Sequence, residues 1–392
     1  MLARIWRFFV ALFDWRTIQR KLIGRPIVDV VFVTNMRDAV DRQRYLGKWH
    51  PPQGHFNGPR YWLSGIVGRT RALDITTQEM GTVKGRRKAK EQFLGATRWA
   101  EAHGARIILL AAATKRLFDE IFQKELKKMF PSLIFTIGDN GTVSLLIGET
   151  LRALQDAGLK PSYSRIAILG PYGFLGEIMT RTLNGLGYEI VGAGPNLGGL
   201  ELVAEKYSIS TCQALADIGK VDAVVACTHS EAVSLTAESV ELIRRDNKKL
   251  LVIDVAEPSN LRYKEYQKCK KVVIRQDAGN AYSPKLKYVL GAISYRMFRL
   301  TRGVTFGCFA ETLSLASALR RSENISNVDW LIVNDENMEI VAKMFEHDGF
   351  TIPSPRCFSQ SVKSFDLALG EKKDQAAQSS GWKLVMQKMH IL

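Results

Sequence analysis

The stretch SRIAILGPYGFLGEIMTRTLNGLGYEIVGAG, residues 164–194, constrains this chain more than any other. A β-branched strand runs into three glycines spaced by three (Gly170, Gly173, Gly176), then an amphipathic helix, then a second strand at Tyr188–Ala193. Each glycine has a physical job in such a turn. Gly170 allows the tight reversal, Gly173 lets an anionic group approach the helix N-terminus, and Gly176 lets helix and strand pack closely. Two near-continuous apolar strands follow, VDAVVACT and KLLVIDVA, separated by SEAVSLTAESVELIRRDN. Strands alternating with helices imply a parallel sheet. The expected fold is α/β, with a doubly wound, dinucleotide-binding Rossmann domain at residues 161–290. Gly170, Tyr172, Gly173, Phe174, Leu175 and Gly176 are its candidate cofactor-binding turn, and Thr228, after the third strand, faces the cofactor. The second strand ends in VGAGPNLGG, without an Asp or Glu to accept ribose hydroxyls, and Glu189 stands at the wrong end. That favours NADPH over NADH, with Asn196 and backbone amides left to hold the 2′-phosphate.

The rest of the chain is placed around this domain. Residues 1–25 read as an amphipathic basic extension, residues 26–160 as an α/β substrate or carrier domain, and residues 291–392 as a helical region. A strand turning at Thr34–Asn35, broken strands in RYWLSGIVGRTRALDIT and a basic helix from about Gly85 to Gly104 make up much of the second of these. Five scattered cysteines and six scattered histidines give neither a disulfide framework nor a metal spacing, so reduced thiols in a cytoplasmic compartment are expected. The net charge of +16 is concentrated: residues 1–130 hold 25 Lys and Arg against 11 Asp and Glu. No nucleic-acid motif accompanies it, so an acidic carrier protein or an anionic membrane surface is the expected partner class. In the extension, Leu2, Ile5, Trp6, Phe9 and Phe13 share one helical face. That face suits either peripheral contact with a membrane or docking on protein. Its longest uncharged run is too short to span a bilayer.

One further stretch carries chemistry. In VTFGCFAETLSLASAL, residues 304–319, Cys308 follows a glycine at the first turn of an apolar helix. A helix N-terminus stabilises a thiolate, whereas a buried cysteine is more often a small hydrophobe. Taken together with the glycine turn, GCFAETL resembles the cysteine helix of the cyanobacterial-type long-chain acyl-(acyl-carrier-protein) reductases. The likeness runs from about Val30 to Phe350, through NMRDAVDRQRYLG, FTIGDNGT, ILGPYGFLG, VIDVAEPSNL and MEIVAKMFEHDGF in order. The resemblance implies a reductase that converts a fatty acyl thioester, on acyl carrier protein or coenzyme A, to an aldehyde with NADPH. It also implies that Cys308 is the acylated nucleophile and that no metal takes part.

Other residues have plainer explanations beside functional ones. His229 can donate a proton or cap the next helix. Asp139 and Asn140 in TIGDNGT can line a cleft or serve their own turn. The KGRRKAK run at residues 84–90 can greet a phosphate or an acidic carrier, or be a solvated face. Two rivals remain. A shikimate/quinate-type hydroxy-acid dehydrogenase would use a paired Lys and Asp, which is not evident in the sequence, and GDNGTVSLL only faintly echoes its turn. A membrane-tethered NADP-binding partner without catalysis would have no use for Cys308.

Overall fold

The computed structural model describes residues 15–288 and 300–369. The chain divides into two compact units, one from residues up to Gly141 together with Ala281–Thr351, the other from Thr142–Asn280 together with residues from Ile352 on. The partition differs from the sequence-based boundaries. Residues 281–351 are not part of a separate C-terminal domain: they return to complete the first unit, because a late strand and the cysteine helix find their partners there.

The first unit is built on β1 (Val30–Met36), β2 (His55–Leu63), β3 (Ile66–Thr76), β4 (Ile107–Leu110), β5 (Ile134–Thr136) and the late strand Leu286–Tyr288. The order across the sheet is late strand, β2, β3, β1, β4, β5. β1 runs parallel to β3 and β4, and β4 to β5, while β2 is antiparallel to β3 and to the late strand. The runs VVFV in β1 and IILL in β4 are buried throughout, as strands covered on both faces must be. β2 and β3 form a hairpin turned by Ser64 (φ 46°) and Gly65 (φ 92°), the left-handed pair that a two-residue hairpin requires. β1 itself continues through Asn35, correcting the turn expected there. Its side-chain amide donates to Met36 O (2.7 Å) and Thr77 Oγ1 (2.8 Å), and its side-chain carbonyl accepts from Ala113 N (3.1 Å).

One face of this sheet is covered by the Val83–Ala102 helix, whose N-cap Thr82 accepts the Gly85 N–H. Ala89, Phe93, Ala96 and Ala100 pack on Val31, Val33, Leu73 and Ile75. The KGRRKAK run occupies the first turns of that helix, mostly exposed. On the other face lies the Gly307–Arg320 helix, buried on nearly every side, its polar Glu311, Thr312 and Ser314 included. The Phe309 ring stacks on Phe32 with centroids 4.2 Å apart, and Leu313 presses against the bare backbone of Gly68. Burying Leu313 and Leu315 completely contributes about 1.5–3 kcal/mol each. The Asp335–Asp348 helix, capped by Asn334 and closed by Gly349 (φ 72°), belongs to the same unit.

The second unit carries β6 (Arg165–Leu169), β7 (Glu189–Ala193), β8 (Ser210–Cys212), β9 (Ala223–Ala226), β10 (Leu250–Asp254) and β11 (Val273–Asp277). All pair in parallel, in the order β11-β10-β9-β6-β7-β8. This is the expected doubly wound sheet, with its direction of winding reversing between β6 and β9. Its edge is strapped by residues 356–361. Arg275 on β11, 2% exposed, pairs with Asp254 (3.0 Å) and Asp277 (2.5 Å), and the Phe358 ring lies 3.9 Å from its guanidinium.

Of the N-terminal extension, Trp15–Leu22 is helical, and its Arg20 is tied to the first unit through Asp29 (2.7 Å), Gly65 O (2.6 Å) and Pro26 O (2.8 Å). The apolar face from Leu2 to Phe13 lies outside the described residues, as does the tail from Gly370. Among the described residues no helix is long and apolar enough to cross a membrane.

Candidate functional site

Within the first unit, the short strand Val304–Phe306 leads straight into the cysteine helix, so Cys308 is its second residue. Phe306 precedes the helix in an extended conformation and supplies no capping side chain. The first-turn N–H groups are thus left for other acceptors, and the Phe309 N–H serves the thiol. Gly138 backs Cys308. At φ +70°, a Cβ on Gly138 would lie 2.4 Å from the Cys308 Cβ, so only glycine fits between the β5 turn and the thiol.

Three further ionisable groups stand around the thiol. Glu311, one turn along the helix and fully buried, accepts from Thr136 Oγ1 (2.6 Å) and from the Gly141 N–H (2.7 Å). Asp139, 4% exposed, opens the Asp139–Asp156 helix and accepts from Lys115 Nζ at 2.6 Å. Lys115 comes from the turn after β4, held by Thr114 Oγ1, which donates to Ala111 O (2.7 Å) and lies 3.2 Å from Val33 O. Ala112 in that turn is forced to φ +54°, a left-handed conformation costly for a residue with a Cβ. Asn140 is fully buried and donates to Ile332 O (3.0 Å), which ties its turn to the loop before the Asp335–Asp348 helix.

The electrostatics follow from burial. Desolvation pushes the Cys308 thiol up to about 12. The Lys115 ammonium and the Phe309 N–H work against that shift, while Asp139 and Glu311 add to it. The thiol therefore rests protonated despite its place at a helix N-terminus. Burial likewise raises Glu311 to about 7, in spite of its two hydrogen bonds. For Lys115 burial works the other way, but Asp139 overrides it and keeps the ammonium charged. The cluster combines a protonated thiol, a fixed cation and a carboxyl group whose proton is exchangeable near neutrality.

Lys115 was not legible in the sequence, and the Lys–Asp pair that is not evident there is present in the fold. Nothing local marks Lys115, since its partners lie 24 and 193 residues further along the chain.

The second unit holds the glycine turn. Gly170 has φ +78° and sits against Thr228, where a Cβ would meet the Thr228 Cβ at 2.8 Å. A Cβ on Gly176 would lie 2.0 Å from the carbonyl oxygen of Gly170, so Gly176 admits the turn's own backbone more than the strand. Gly173 differs: a Cβ there meets only Gly170 O, at 3.5 Å. The protein does not need glycine at 173, and the room is open at the N-terminus of the Phe174–Gly185 helix. Phe174 is 65% exposed beside it, and Leu175 is half-buried. Tyr172 lies over the bare backbones of Gly194 and Gly199, and its hydroxyl accepts the Asn196 N–H (3.2 Å). Asn196 caps the Leu197–Tyr207 helix through Oδ1, which accepts from Gly199 N (3.3 Å). Its expected phosphate contact is thereby confined to the side-chain amide. β7 ends without a carboxylate, and Glu189 at its start is paired with Arg165 (2.7 Å). Thr228 accepts the Ser230 N–H (3.2 Å), and His229 is exposed. Among the described residues no cluster suits a metal ion.

No protein-family model and no curated protein matches the chain. Among solved structures it is similar to L-tryptophan dehydrogenase from Nostoc punctiforme, at 9% identity over 82% of this chain and 89% of that one, with a TM-score of 0.39. Shikimate 5-dehydrogenase from Thermus thermophilus matches at 14% identity over 82% of this chain and 100% of that one, with a TM-score of 0.35. A dipicolinate synthase chain from Bacillus halodurans matches at 16% identity and a TM-score of 0.30, over 43% of this chain and little more than half, 57%, of that one.

Proposed function

We propose that this protein is an NADPH-dependent reductase of acyl thioesters, carried on an acyl carrier protein or on coenzyme A, that releases an aldehyde. The observation that supports it is the Cys308 cluster: a thiol at a helix N-terminus, with a lysine ammonium and a carboxyl group that titrates near neutrality. Glu311 takes the thiol proton, and Lys115 offsets the charge left on sulfur. The thiolate forms a C–S bond to the thioester carbonyl, the carrier's sulfur departs with its electron pair, and the acyl group is held on Cys308. Oxygen charge developing at that carbonyl meets the first-turn N–H groups and Lys115. The open corner at Gly173, the helix N-terminus behind it and the carboxylate-free end of β7 fit a phosphorylated dinucleotide, which when bound supplies the hydride. As the C–S bond breaks, Glu311 returns the proton.

Intact-mass measurement of the protein incubated with acyl-coenzyme A, without NADPH, tests this. One acyl group on Cys308, discharged when NADPH is added, is expected. No adduct, with thioester reduction intact, overturns it.

The Lys115–Asp139 pair supports a second reading, a hydroxy-acid dehydrogenase in which the ammonium moves a proton to or from the substrate oxygen. In that case Lys115→Met would abolish turnover while Cys308→Ser would keep it. In the thioester reductase Cys308→Ser abolishes turnover, and Lys115→Met slows it without abolishing it.

A further inference from the structure

The first sheet carries a second concentration of charge, on the face opposite the cysteine helix. That face is apolar along β1 and β4, but basic at its β2–β3 corner. Arg69 and Arg71 alternate on β3 and so share it, Arg60 stands directly across from Arg69 on β2, and Lys287 faces Trp62 one strand further out. Arg60 and Arg71 are buried, at 7% and 5% exposure, and Arg69 is half-buried.

The hydrogen bonds of Arg71 go to neutral groups. Nε donates to His55 Nδ1 (2.8 Å), Nη1 to Asn57 Oδ1 and Nη2 to Gln53 Oε1 (3.4 Å), and the guanidinium lies 4.1 Å from the Trp99 ring centre. Burial and the Arg71 charge hold the His55 ring down at about 4, so it accepts as a neutral imidazole. Among the described residues no carboxylate pairs with Arg69 or Arg71. The one acid on β2, β3 and the late strand is Asp74, and Arg42 (2.9 Å) and His50 (3.3 Å) engage it. Asp29, at the strand end, is taken by Arg20 and the Val67 N–H. Burial accordingly pulls Arg69 and Arg71 down to about 10, with Arg69 adding to the shift of Arg71.

We propose that this corner binds a phosphate group. The Arg69 and Arg71 guanidinium groups, drawn out of water with no carboxylate among the described residues paired to either, repel each other, and an oxyanion placed between them removes the repulsion. Planar forks suit a tetrahedral phosphate, which offers several oxygens and close to two charges. Exposed Asn57 and Lys287 mark the solvent side from which it enters. The phosphate belongs to a soluble ester or to an anionic lipid headgroup. The site stands on residues separate from the Cys308 cluster and does not depend on the reductase function.

The test is thermal melting of the full chain in inorganic phosphate against chloride at equal ionic strength, for the wild type, Arg69→Met and the exposed control Arg87→Met. The wild type and Arg87→Met should gain several degrees in phosphate. Arg69→Met should not respond, and in chloride should melt no lower than the wild type, since a repulsive charge has gone. An equal phosphate response in Arg69→Met, or a lower melting temperature in chloride, overturns the site. Sedimentation with phosphatidylcholine vesicles containing phosphatidylglycerol separates the sources. Binding that Arg69→Met loses assigns a lipid headgroup, and a phosphate response without sedimentation assigns a soluble ester. The absence of both overturns the proposal.

Discussion

The glycine turn of the second unit and the Cys308 cluster of the first make opposite use of a helix N-terminus. At Gly170–Gly176 the protein offers backbone alone: N–H groups, a helix start, and open space at Gly173. At Cys308 the space is closed by Gly138, and the helix start is crowded with side chains that carry protons. Backbone donors do not titrate, so a site built from them holds an anion alike at any ordinary pH. Burial displaces the Cys308 thiol and the Glu311 carboxyl upward from their usual proton affinities, and for Glu311 that displacement costs stability at neutral pH. The contrast is between a site that offers fixed backbone donors and one that offers exchangeable protons.

The largest effect expected is at the thiol. Cys308→Ser should lower acyl transfer by roughly 10³-fold or more, because a hydroxyl is a far weaker nucleophile at neutral pH. Adduct mass and melting temperature, read on the same variant, separate lost chemistry from lost folding. Next, alanine at two glycines should give opposite outcomes. Gly138→Ala combines a 2.4 Å clash with a left-handed φ and should cost about 2–5 kcal/mol by denaturant melting. Gly173→Ala should leave stability within about 1 kcal/mol yet weaken nucleotide binding roughly tenfold or more, read by nucleotide fluorescence. Equal melting of the two would erase the distinction between closed and open glycines.

A third expectation concerns pH. Glu311 is raised from 4.5 to about 7 in the fold, so its contribution is complete below 4.5 and is lost as pH rises through 7, a change of about 3 kcal/mol. Glu311→Gln should remove that loss, so the stability difference between variant and wild type should shift toward the variant across this window. Glu149 in the second unit, raised to about 8 by burial, supplies an internal reference that the substitution leaves alone. The smallest effect is at Lys115. Without its charge the thiol moves further from ionisation, and iodoacetamide labelling of Cys308 in Lys115→Met should slow by about tenfold at fixed pH. Unchanged labelling would deny the ammonium any hold on the sulfur.

How much of this was legible depended on sequence distance. The glycine turn occupies seven residues between a strand and a helix, and its meaning is local. The cysteine helix was visible for the same reason. Lys115, Thr136 and Gly141 belong to the site only because β4 and β5 deliver them, and strand pairing leaves no local mark. Nor does the basic excess of the first third show that Arg60, Arg69 and Arg71 meet on one face, since that depends on the register across the β2–β3 hairpin. Asn196 stands out in the sequence for its amide chemistry, while the helix that begins after it claims its oxygen as a cap.

The interleaving of the units also sets an order of assembly. During synthesis, the whole six-stranded parallel sheet of the second unit is available once residue 280 has emerged, while the first sheet still lacks its edge strand and the helix that covers Phe32 and Tyr61. From the end of β5 at Thr136 to the start of the cysteine helix at Gly307 that apolar face stands bare, and Thr136 and Gly141 wait for Glu311. A ribosome stalled after residue 280 and before residue 307 has emerged would display a finished parallel sheet and an unfinished one, the bare face being the one a chaperone would shield.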